Sequence, residues 1–195
     1  MIRARWLAVC LAVLSMHTEA QSPRYYALEV LIFSRPNLVA LQDERWPTTA
    51  PAAPMTLSLV NAARAGYDNL VLLPASRRTL ADAAYQIRMQ MNGSVLFHER
   101  WIHPLTPDQA ANPWFRVEGQ GRDGSQLLGF LRWSIDRFIE VDADLRLAFT
   151  DPLTREKRLF RISEFRKLSS KDTHYLDHPA FGMIIQADPI DVPDA

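Results

Sequence analysis

The chain has 195 residues, 22 basic and 22 acidic side chains, and a single cysteine. Balanced charge excludes the broad positive field that nucleic acid or an anionic membrane surface calls for. One cysteine excludes a disulfide framework and a cysteine-rich metal centre, and the length suits one domain, or at most two small ones, with a core large enough to need no staples.

Residues 1–20 open with Arg3 and Arg5, continue through an apolar run from Trp6 to Leu14, and end in the polar stretch Thr18-Glu19-Ala20. A basic start, a short apolar middle and a small residue at the boundary predict a secretory signal peptide. The run is too short for a membrane span, which takes about 20 apolar residues. Cleavage after Ala20 leaves residues 21–195 as one expected domain, exported from the cytoplasm and without a further span. Cys10 lies inside the signal, so the exported part has no thiol, and Leu7-Ala8-Val9 lacks the small residue a lipidated cysteine follows. Removal of Arg3, Arg5 and Glu19 leaves 20 basic and 21 acidic side chains. Lysine occurs only at 157, 167 and 171, an arginine bias read here as compositional.

Tyr25–Phe33 is aromatic and β-branched and predicts the first strand. Residues 36–54, with Thr48–Pro54 rich in proline and alanine, predict an irregular segment. Thr56–Ala65 suggests a short helix closed by Gly66, and Asn69–Leu73 a short apolar run stopped by Pro74. Leu80, Ala83, Ala84, Ile87 and Met91 share one face of a predicted helix over 80–92. Thr79 with Asp82 resembles a capping box, and Gly93 a left-handed stop. Ser94–Ile102 reads as a strand ended by His103-Pro104. Phe115–Glu118 and Gln126–Trp133 flank the tight-turn signal Gly121-Arg122-Asp123-Gly124. Ile139–Phe149 alternates apolar residues with Asp142, Asp144 and Arg146, a strand with one wet face. Arg158–Phe165 and Phe181–Ala187 complete the strands. Early helices and later strands predict an α+β fold: a largely antiparallel sheet with one or two helices packed on it.

The chemistry-bearing patterns are sparse. His98 and His103 are five apart, the wrong spacing for a zinc-protease helix and on opposite faces of a strand. His174 and His178, four apart and beside Asp177, can share a face and offer three ligands to zinc or a similar ion; the plainer reading is a turn whose side chains bond the backbone. Glu29, Glu99, Glu118 and Glu164 fall in strands where a solvated face is the default. Trp101 and Trp133 sit in apolar strands and are assigned to the core. Trp46 and Trp114 lie beside prolines in loops, where ligand-contacting rings concentrate.

Blocks spread along the chain carry a resemblance. They are Tyr26–Arg35 followed by Glu44-Arg45-Trp46-Pro47, Val95–Pro104, Gly129-Phe130-Leu131-Arg132 with the alternating strand after it, Phe160-Arg161-Ile162, Glu164–Leu168, and His174–Ile185. In their order and spacing they resemble the CsiV family of periplasmic peptidoglycan-binding proteins of Gram-negative bacteria. The resemblance implies a binding protein without catalytic residues, cofactor or metal. It also implies action with the outer-membrane lipoprotein that activates a bifunctional penicillin-binding protein. Peptidoglycan offers sugar rings for stacking and peptide carboxylates for guanidinium forks. The candidate contact residues are therefore Arg45, Trp46, Trp114, Arg116, Arg166, His174, Asp177 and His178. Two alternatives stand beside this reading: a metal-dependent peptidoglycan hydrolase using His174, Asp177 and His178, and a periplasmic protein-interaction scaffold.

Overall fold

The computed structural model describes residues 23–36, 41, 56–107, 112–151 and 153–191. The signal segment, most of the 36–54 stretch, Arg45 and Trp46 lie outside the described residues. The elements are β1 (Arg24–Ser34), β2 (Leu57–Ser58), α1 (Leu59–Arg64), β3 (Val71–Leu72), α2 (Ala81–Met89), β4 (Ser94–Leu105), β5 (Phe115–Gln120), β6 (Gln126–Ile135), β7 (Ile139–Thr150), β8 (Lys157–Leu168), β9 (Thr173–Asp177) and β10 (Phe181–Pro189). They form an α+β fold of two five-stranded sheets. Sheet A runs β3-β4-β1-β10-β9 and sheet B runs β2-β5-β6-β7-β8. Among the described residues every pairing is antiparallel except the two-residue contact of β2 with β5. Among the described residues no helix is long and apolar enough to cross a membrane.

The apolar pattern of each strand follows from the layer it occupies. Strand β1 lies between β4 and β10 and is covered on both faces, so it is almost continuously apolar. Leu28, Val30 and Ile32 turn toward sheet B, and Leu31 and Phe33 pack under Leu80, Ala84 and Ile87 of α2. Sheet B meets them with Leu131, Trp133, Val141, Leu145, Leu147, Phe160 and Ile162. Trp101 and Trp133 are fully buried and meet edge-to-face with ring centres 6.0 Å apart. The layers are thus α2, sheet A and sheet B. Leu59, Ala62 and Ala63 of α1 close a side of the inter-sheet core. The outer face of sheet B alternates out of the core and, among the described residues, neither helix packs on it.

Five local expectations are corrected. The Thr79/Asp82 capping box does not form: Leu80 is the N-cap of α2 and makes no side-chain cap bond. The Thr79 and Leu80 N–H groups donate instead to the carboxylate of Glu29, at 2.7 and 2.9 Å, so a strand residue satisfies the helix start. Glu29 is therefore not on a solvated face; it is 1% exposed. Gly93 does not adopt a left-handed conformation. That geometry belongs to Asn92 (φ 52°), while a Cβ at Gly93 would stand 2.8 Å from the Ser34 carbonyl oxygen. Strand β4 continues through His103 and Pro104 because β3 pairs only with Trp101 and Ile102. Beyond them no described strand pairs with the far side of β4, where proline forfeits no ladder bond. Finally, residues 173–177 are the edge strand β9, paired with β10, rather than a turn.

Candidate functional site

Three cross-strand rows build the outer face of sheet B. The first is Arg132–Asp142–Phe165, the second Arg116–Phe130–Asp144–Ser163 and the third Glu118–Leu128–Arg146–Arg161. The rows follow from period-two alternation: each strand spends one parity on the core and leaves the other for polar and aromatic groups. Trp114 stands just before β5, and its approach is fixed by Asn112, whose side-chain oxygen accepts the Thr106 hydroxyl proton at 2.8 Å. Trp114, Asp142, Asp144, Arg161, Ser163 and Phe165 line an open hollow of about 320 Å³.

The charged groups here are held by one another. Arg132 lays its guanidinium over the Trp114 ring, 4.7 Å from the centroid, and donates to Asp142 at 2.6 Å. Arg146 lies over Phe130 at 5.2 Å and donates to Asp144 at 2.6 Å, while Arg161 donates to the other oxygen of Asp144 at 2.7 Å. Burial pushes the Asp144 carboxyl up, but the hydrogen bonds from Arg161 and Arg146 and their charges override it and hold it below its ordinary value. Phe165 differs from its neighbours: its ring is 48% exposed at the rim of the hollow. A fixed mosaic of donors and acceptors beside an exposed ring is chemically suited to a polyhydroxylated ligand, which stacks an apolar face and shares its hydroxyls among planar charged groups.

The residues singled out from sequence divide between two places. Trp114 lines the hollow, and Arg116 sits on the same face, its Nε 3.3 Å from Glu118. Arg166 has the opposite parity on β8 and is engaged with Glu164 at 2.8 Å. His174, Asp177 and His178 belong to the other sheet. The Nε2 of His174 lies 3.1 Å from both the N and the O of Ser169. Asp177 pairs with Arg35 and accepts from Tyr175. The His178 Nδ1 accepts the Ala180 N–H at 3.0 Å, and its ring lies against Phe160 and Phe181. Among the described residues no group of three or more His, Cys, Asp or Glu side chains could hold a metal ion.

Arg132, Asp142, Asp144, Arg161, Ser163 and Phe165 were not singled out from sequence. The wet parity of β7 marked Asp142 and Asp144 as outward, but their partners depend on register. A second polar cluster also escaped notice. Glu29 receives Thr79, Leu80 and, at 2.8 Å, the His98 ring, with Arg100 at 3.8 Å. Burial pushes the Glu29 carboxyl up, yet these hydrogen bonds together bring it down to about 2. Buried under α2, the cluster clamps the helix to sheet A. A glutamate inside an otherwise unbroken apolar strand was the available signal.

Mutually paired charges with aromatic rings on an open sheet face make this the candidate surface for a ligand. The chain belongs to the CsiV family, described as peptidoglycan-binding proteins, whose family model matches residues 6–190. No curated protein and no solved structure matches the chain. Membership in a family that binds peptidoglycan points to work in the cell envelope.

Proposed function

We propose that the chain is exported through cleavage after Ala20, acts in the periplasm as a single non-catalytic domain, and binds peptidoglycan glycan on the outer face of sheet B. The observation that carries this reading is the exposed Phe165 ring standing beside Trp114 and the paired Arg132, Asp142, Asp144 and Arg161. A pyranose stacks on Phe165 and the accessible part of Trp114. Arg161, Ser163 and the two aspartates share its hydroxyls and acetamido group. Support for wall synthesis, through the outer-membrane lipoprotein that activates a bifunctional penicillin-binding protein, is the wider role proposed for the family's members and for this chain.

Co-sedimentation with purified sacculi tests the surface. Wild-type protein pellets with sacculi; Phe165→Ala and Trp114→Ala each weaken the association about tenfold, the ordinary worth of a stacked aromatic anchor. Wild-type protein remaining in the supernatant, or both variants pelleting like wild type, removes the reading. Release of muropeptides by the pure protein would replace binding with hydrolysis.

A further inference from the structure

A second hollow opens at the mouth of the sandwich, where the start of β1 faces the β6–β7 turn and the end of β8. Its volume is about 230 Å³. Tyr26, Ile135, Ile139 and Leu168, all buried core residues, form its floor. Its rim carries the exposed arginines Arg24 and Arg137 and the residues Ser169 and Ser170. Every guanidinium around the Trp114 hollow that is described above has a carboxylate partner. Arg24 and Arg137 have none among the described residues; Arg137 touches only the Phe138 ring, 5.6 Å from its centroid. The His174 ring at Ser169 and the Lys171 N–H donated to Ala187 at 2.8 Å hold the β8–β9 loop that makes this rim.

We infer that this hollow is a carboxylate subsite for the end of a small-residue peptide, an alkyl group resting on the apolar floor and the carboxylate taken by Arg24 and Arg137. Two guanidiniums without carboxylate partners favour an anion, as bidentate planar donors do. The volume is below that of a drug-sized pocket and fits a dipeptide terminus rather than a sugar chain. Its position suits a branch of the same polymer: Asp142 and Ile139 on β7, and Phe165 and Leu168 on β8, are each three residues apart, about 10 Å along a strand. In naming a peptide of the wall as its occupant, the inference rests on the peptidoglycan reading given above. His174 is then a positioning residue, acting through Ser169.

The test uses the full chain, with acetyl-D-alanyl-D-alanine and its C-terminal amide as probes, followed by backbone amide shifts in NMR. The acid shifts Ser169, Ser170 and Phe138; the amide binds about tenfold more weakly. Arg24→Gln and Arg137→Gln each weaken the acid about fivefold, and the exposed-turn control Arg122→Gln does not. Equal response to acid and amide, or acid-induced shifts confined to the outer face of sheet B, overturns the subsite. Because both arginines are exposed, an unchanged spectrum elsewhere shows that the variants fold. Acid-specific shifts in a protein that ignores sacculi would keep the subsite and remove the glycan-binding reading; sacculus binding with no acid preference would do the reverse.

Discussion

Glu29 and His103 show how single buried groups set the acid response. Glu29 is charged in the fold, its carboxyl held down to about 2. A depressed carboxylate contributes stability above its ordinary value near 4.5, and that contribution drains as pH falls from there toward 2. The difference is worth roughly 3 kcal/mol at neutral pH. Glu29→Gln turns an amide donor toward the Thr79, Leu80 and His98 donors, so urea denaturation is expected to show a loss of about 2–4 kcal/mol. His103 acts at higher pH. It is 3% exposed, its Nδ1 accepts from the Trp101 indole at 3.3 Å, and burial pushes it down to about 4. The folded ring stays neutral while the unfolded one charges below about 6.5, so stability falls between pH 6.5 and 4. Denaturation at pH 5 against pH 7 is expected to cost the wild type about 2 kcal/mol from this residue. His103→Gln removes that difference, whatever it costs at pH 7.

At the scale of elements, backbone proximity rather than propensity decides several features. Strand β5 comes so close to β4 that a Cβ on Gly119 would overlap the Leu96 carbonyl oxygen. Gly119→Ala must part the two sheets there and is expected to lose about 3 kcal/mol or more in a denaturation midpoint. A Gly124→Ala change in the β5–β6 turn (φ 78°, open space around it) pays only backbone strain of about 1–2 kcal/mol. This difference also explains what was legible in the amino-acid order. The alternation of β7 from Ile139 to Phe149 marked its two faces, and the order of early helices and later strands carried the antiparallel α+β class. Strand β9 was missed because Thr173–Asp177 has no apolar alternation to separate it from a turn. The division of strands between two sheets, and therefore the rows that bring Phe165 to Asp142 and Arg161 to Asp144, rests on long-range register that no local window carries. Trp114 could be singled out because proline placed it in a loop; Phe165 looked like any other strand phenylalanine until its neighbours were known.

Over the whole molecule charge is balanced, with 22 basic and 22 acidic side chains. Around the Trp114 hollow the ion pairs are internal: Arg132 with Asp142, and Asp144 with both Arg146 and Arg161. Such a face projects little field beyond a Debye length of about 10 Å at 0.1 M salt. Attraction to the wall must then come from stacking and short hydrogen bonds, which salt screens weakly, and not from long-range steering. Raising sodium chloride from about 0.05 M to about 0.5 M is therefore expected to weaken sacculus association by no more than about threefold. The slope that remains belongs to Arg24 and Arg137, the cations at the sandwich mouth, and the double variant Arg24→Gln/Arg137→Gln should flatten it. Phe165→Ala should instead lower affinity at every salt concentration and leave the slope alone, because it removes contact area and no charge. A steep salt dependence in the double variant would mean that the wall is held by a basic surface elsewhere, and the paired-charge face would lose its claim to the ligand.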